Sequence, residues 1–233
     1  MALKILVIGS PGSGKTTAAE SLNPKETFII CSDRKGLPFR GWKNNYRTVT
    51  KDNGKLDLLA SNYYETSSAS IVISLLKAIS DQKPETKVII IDTITAIMEN
   101  EYMARAKEKG FDKYTDMALD TFNILITPDD LREDLTVLIM AHEQSDYDAE
   151  GSLQTSFKVV GGKLIGQNIK VEGRFNLVLY TDVVMVDNKP QYSFLTQSNG
   201  KNTCRTPKGM FTELKIPNDY SMVIKTMREY YTD

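Results

Sequence analysis

Short runs of consecutive apolar residues alternate along the chain with longer stretches that are apolar every third or fourth position. Residues 3–8 (LKILVI), 27–31 (TFIIC), 87–92 (KVIIID) and 135–141 (LTVLIMA) are of the first kind. A run that is apolar at successive positions predicts a strand buried on both faces. Residues 67–80 are of the second kind: Ile71, Leu75 and Ile79, with Val72 and Leu76, fall at helical spacing. Residues 94–109, 114–126 and 219–231 also read as helices. Residues 16–22 read as a short one stopped by Asn23-Pro24. Residues 33–45, polar and containing Gly36, Pro38 and Gly41, read as loop.

Strands alternating with helices imply an α/β fold with a mainly parallel central sheet flanked by helices. After Gly166 the pattern changes. Residues 175–186, 191–196 and 202–211 are strand-like and are separated by Asp187-Asn188 and Asn199-Gly200. Asn-Gly between strand-like segments is a hairpin signal, so the sheet is expected to end in antiparallel C-terminal strands. No repeat or linker interrupts the chain, and a single domain over residues 1–233 is expected.

Composition narrows the class. With 41% apolar and 25% charged residues, the chain has the make-up of an ordinary globular protein. It contains no apolar run near the roughly 20 residues that span a bilayer. The amino end runs directly into the first strand, so no cleavable signal peptide is expected. Cys31 and Cys204 form no CxxC pair, which argues against a disulfide framework or a zinc site and suits a cytoplasmic location. The net charge of −1 conceals an asymmetry: residues 157–215 hold nine Lys/Arg against four acids. That stretch is either a basic face able to meet phosphates or a lysine-rich solvated surface.

The chemistry concentrates between the first strand and the helix after it. Gly9-Ser10-Pro11-Gly12-Ser13-Gly14-Lys15-Thr16, followed by Thr17, fits GxxxxGK[ST] in full. Glycines there let successive backbone amides turn toward a phosphate, and the start of a following helix adds partial positive charge. Lys15 can reach the β- and γ-phosphates of ATP, and the Thr16 hydroxyl can ligate Mg2+. Asp92 ends the strand at 87–92, where a carboxylate can hold the Mg2+ shell; the alternative is a cap for the next helix. A GTPase is disfavoured, because Asn188-Lys189 is followed by Pro190-Gln191 instead of completing NKxD.

With these motifs the chain resembles the RecA superfamily core over residues 3–215, and more closely the compact phage-type RecA-like (AAA-type) ATPases of single-strand annealing and recombination. The matching features are Asp92-Thr93, the polar His142-Glu143-Gln144 after the fourth apolar strand, Gly161-Gly162-Lys163-Leu164, and Asn199-Gly200-Lys201-Asn202 ahead of Pro207 and Phe211. The resemblance implies a DNA-dependent Mg-ATPase. Asp33 would orient the attacking water, although it is one methylene shorter than the family's Glu, or would be a turn residue. His142 and Glu143 would sense the γ-phosphate. Lys201 and Arg205 would reach a neighbouring subunit's ATP in a homo-oligomer, or lie on the surface. The loop over 145–170 would touch single-stranded DNA through Lys158, Gly161, Gly162, Lys163 and Lys170, with Tyr147 or Phe157 stacking on bases. A single-strand-binding protein is an implied partner, with the host cytoplasm the location if the chain is phage-encoded. Two other functions stand beside this one. A small-molecule kinase would need an Arg-rich lid, and no concentrated Arg cluster exists in the sequence. A non-catalytic nucleotide switch would bind ATP without turnover and regulate a replication partner.

Overall fold

The computed structural model describes residues 1–52, 55–148, 150–160 and 169–232. From the amino end it runs through β1 (Leu3–Ile8), a 3-10 turn (Thr17–Ser21), β2 (Thr27–Cys31), α1 (Trp42–Asn45), β3 (Thr50–Asp52), β4 (Lys55–Asp57), β5 (Tyr63–Glu65), α2 (Ala69–Gln82), β6 (Val88–Asp92), α3 (Ile94–Ala104) and α4 (Asp112–Ile126). It continues with β7 (Thr136–Ala141), β8 (Glu143–Tyr147), β9 (Leu153–Phe157), β10 (Leu177–Val186), β11 (Lys189–Leu195), β12 (Lys215–Pro217) and α5 (Tyr220–Thr232).

Eight strands form one sheet in the order β12-β11-β10-β1-β7-β6-β2-β5. From β10 to β5 every pair is parallel, whereas β11 and β12 run antiparallel, as the strand-like C-terminal pattern implies. The continuous apolar runs are explained by burial on both sides. In β1, Leu6 and Ile8 face a core shared with α2, α3 and α4, while Ile5 and Val7 face one shared with the first 3-10 turn and α5. The β10–β11 connection is Asp187-Asn188, both at positive φ (49° and 60°), which Asp and Asn tolerate better than most residues. Among the described residues no helix is long and apolar enough to cross a membrane.

Four expectations need correction. Residues 16–22 do not form an α-helix; only Thr17–Ser21 winds, as a 3-10 turn, because Asn23-Pro24 ends it at once. Little helix dipole therefore faces the glycine loop, and the loop amides carry most of the anion-binding character. Residues 202–211 make no strand, only isolated bridges at Asn202 and Arg205, and Pro207 removes a ladder donor. Residues 145–170 are not simply a loop, since β8 and β9 pair antiparallel. The turn between them is held by Asp148, whose carboxylate accepts from the Glu150 and Ser152 amides at 3.0 and 2.8 Å. Phe157 is buried in the core and unavailable for stacking on bases, whereas Tyr147 is 76% exposed.

Candidate functional site

Three neighbouring parallel strands, β1, β7 and β6, end beside one another and deliver Gly9, His142 and Asp92 to one edge of the sheet. The Gly9 amide donates to the Ala141 carbonyl at 3.2 Å. A Cβ on Gly9 would lie 1.8 Å from Thr181 Oγ1, so only glycine fits under β10. Gly14 has φ +90°, and a Cβ there would meet the Tyr192 ring at 2.8 Å. Thr181 Oγ1 donates to Ser13 Oγ at 2.7 Å. From α5 the Tyr220 hydroxyl, fully buried and stacked on Phe194 at 5.2 Å, donates to the Lys15 carbonyl at 2.8 Å. The loop is thus braced from β10, β11 and α5. It walls a cavity of about 180 Å³ together with Asp92, His142, Lys35 and Pro38.

The cavity's charges are incompletely matched. Lys15 is buried, and its ammonium donates to the Gly9 and Ser10 carbonyls at 2.6 and 2.7 Å. Burial pushes its pKa down to about 8; the Asp92 carboxylate opposes this and the Lys35 ammonium adds to it. Asp92 has no exposed surface. Its Oδ2 accepts from Thr16 Oγ1 at 2.7 Å, while Oδ1 is buried with no partner. Burial raises its pKa, partly offset by the Thr16 hydrogen bond. The cap of α3 is Thr93, whose hydroxyl accepts from the Ala96 amide at 3.2 Å, so Asp92 is not needed for capping. A hydroxyl and a carboxylate with an unmet oxygen make a hard-oxygen donor pair. That pair suits Mg2+ completed by phosphate and water rather than a protein-only cage. Among the described residues no three His, Cys, Asp or Glu gather to make such a cage.

His142 lines the cavity, and its amide donates to Thr95 Oγ1 at 2.9 Å. Burial, then Lys15, lowers the imidazole pKa. The Glu143 carboxylate accepts from the Ser10 hydroxyl. Asp33 follows β2, but its carboxylate is ion-paired with Lys35 at 2.5 Å and accepts from the Cys31 thiol at 3.3 Å. Lys201 and Arg205 do not line this chain's cavity. The Arg205 guanidinium donates to the Phe175 carbonyl at 2.6 Å, near the start of β10. Lys158 is paired with Glu99 of α3 at 2.8 Å, and Lys170 directly precedes the 3-10 turn Val171–Arg174. Gly161, Gly162 and Lys163 lie outside the described residues.

Sequence reasoning missed Lys35, Thr181, Tyr192 and Tyr220. Lys35 carried a usable signal, a cation two residues beyond Asp33 at the end of a buried strand. The other three meet the loop only through pairing and packing between distant segments. No curated protein matches the chain. A family model described as AAA domain matches residues 1–207, a span holding the glycine loop, Asp92 and His142-Glu143. That match agrees with a glycine loop set between a buried strand and a lysine-threonine pair facing a buried aspartate, and the chain belongs to the AAA domain family of P-loop ATPases.

Proposed function

We propose that the chain is a magnesium-dependent ATPase of the compact phage RecA-like type, built as one domain and working with single-stranded DNA in annealing, recombination or repair. The observation that carries the ATPase part is the Thr16–Asp92 pair with its unpartnered buried Oδ1, beside Lys15. These residues are arranged for a triphosphate with its metal ion. Loop amides and Lys15 bind the β- and γ-phosphates, and Thr16 and Asp92 hold the Mg2+ shell. Bound Mg2+ supplies charge neutralisation at the phosphate oxygens. Asp33 positions water, which adds to the γ-phosphorus as the bond to the β–γ bridging oxygen breaks, giving ADP, phosphate and a proton. His142 and Glu143 report the γ-phosphate.

The DNA part is supported by chain continuity and charge. Glu143 opens β8, so the sensor pair leads directly into a hairpin with Tyr147 exposed near its turn. Beyond the hairpin come Lys158, Lys163 and Lys170. In this reading the protein is a homo-oligomer with ATP at subunit interfaces, where Lys201 and Arg205 act on a neighbour's nucleotide, and a single-strand-binding protein is a partner. The test is ATP turnover with and without single-stranded DNA, for the wild type and Lys15→Ala. Stimulation by DNA that vanishes in the variant is expected. Equal turnover with and without DNA would remove the polynucleotide from the proposal.

A further inference from the structure

The segment after β2 folds back over the cavity through three left-handed residues, Arg34 (φ 56°), Gly36 (φ 75°) and Gly41 (φ 74°). It brings Lys35 and Pro38 into the lining of the cavity that the glycine loop walls. Two lysines therefore serve one cavity, and they are partnered differently. Lys15 is held by neutral carbonyls, whereas Lys35 is paired with the Asp33 carboxylate. Asp33 is thereby engaged twice, by the Lys35 ammonium and by the Cys31 thiol, which burial keeps protonated with a pKa pushed up to about 11. The Lys35 side chain is 60% exposed, so little packing opposes its movement away from Asp33.

A terminal phosphate concentrates more negative charge than one carboxylate and offers three acceptor oxygens to an ammonium. We propose that Lys35 is a second phosphate-binding lysine, held by Asp33 while the cavity is empty and transferred to the γ-phosphate of ATP, which uncovers the Asp33 carboxylate for the attacking water. The proposal rests on the ATPase reading above and adds to it a device that tells ATP from ADP. ADP has no γ-phosphate to draw Lys35 away, so Asp33 stays covered.

The chain carries its own reporter. Trp42 is its single tryptophan, and a Cβ on Gly36 would sit 3.0 Å from Trp42 Cζ2, so the indole lies against the residue next to Lys35. The ring also packs on Tyr63 at 4.9 Å, which fixes it to the sheet edge. The experiment measures Trp42 emission and equilibrium affinity for the non-hydrolysable analogue AMP-PNP and for ADP, both with Mg2+. It uses the wild type, Lys35→Met, Lys35→Arg and Asp33→Asn. In the wild type, AMP-PNP is expected to bind more tightly than ADP and to change the emission where ADP does not. Lys35→Met is expected to lose about 10- to 100-fold in AMP-PNP affinity, keep its ADP affinity and lose the emission change; Lys35→Arg restores both. Asp33→Asn is expected to bind AMP-PNP more tightly, because the competing carboxylate is gone, and yet to turn over ATP more slowly. An unchanged AMP-PNP preference in Lys35→Met would overturn the latch, as would an equal loss for both nucleotides. If the wild type takes up neither nucleotide, the ATPase reading itself fails, an outcome distinct from a wild type that binds both but shows no dependence on Lys35.

Discussion

At the starts of the parallel strands the carboxylates Asp129 and Asp134 are ion-paired. Arg228 of α5 donates to the Lys87 and Asp134 carbonyls and, at 3.0 Å, to Thr136 Oγ1. Asp134 takes Lys87 at 2.6 Å and Arg132 at 2.7 Å, and Lys4 pairs with Asp129. At the ends of the same strands Asp33 is paired with Lys35, but among the described residues Asp92 has no ion pair. Asp92 is buried with one oxygen unmet. The same sheet thus has one rim whose electrostatics are settled and one whose electrostatics await a ligand. Groups kept in an unfavourable state cost stability, and a site that binds a charged ligand is where that cost is recovered.

The largest effect that tests this contrast comes from Asp92→Asn, which keeps the shape and removes the buried charge. Turnover should fall about 100-fold or more, as expected when a metal-holding carboxylate is lost. The melting temperature of the nucleotide-free protein should hold or rise, because an uncompensated carboxylate is gone. A clear drop in melting temperature would mean that the strand-end rim is as settled as the other. Next comes Arg228→Ala, which leaves the Asp134 carbonyl and the Thr136 hydroxyl without this donor. Denaturant unfolding should show a loss of about 1–3 kcal/mol, with turnover per folded molecule unchanged.

The pattern of apolar positions made β1, β2, β6 and β7 legible because each is buried on both faces, and a double-sided burial leaves an unbroken apolar signature. The glycine loop was legible because its residue types answer to phosphate geometry alone. The hairpin of β8 and β9 was not, since β8 (EQSDY) has no apolar alternation and gains its strand character from pairing across Asp148. The braces on the glycine loop were equally hidden. Tyr192 and Tyr220 read as ordinary aromatic residues, and only the antiparallel turn at Asp187-Asn188 and the packing of α5 bring them to Gly14 and Lys15.

The smallest effect is at the settled rim. The Lys87 ammonium holds the Asp134 carboxyl below its ordinary pKa of 3.8. A depressed carboxylate contributes stability that is complete above the unfolded-state pKa and is lost as pH falls through the lower folded value. Both partners are nearly half exposed, so the contribution is under about 1 kcal/mol. Comparing acid unfolding of the wild type with Asp134→Asn should show curves that differ at neutral pH and converge below pH 3.8. Curves that stay apart there would mean that Asp134 acts through packing.

The hydroxyl of Tyr220 meets the carbonyl of Lys15 across 205 positions of chain. A ribosome therefore releases the gripping loop long before it releases the brace behind it. During synthesis the glycine loop is therefore present before Tyr220 is there to brace it.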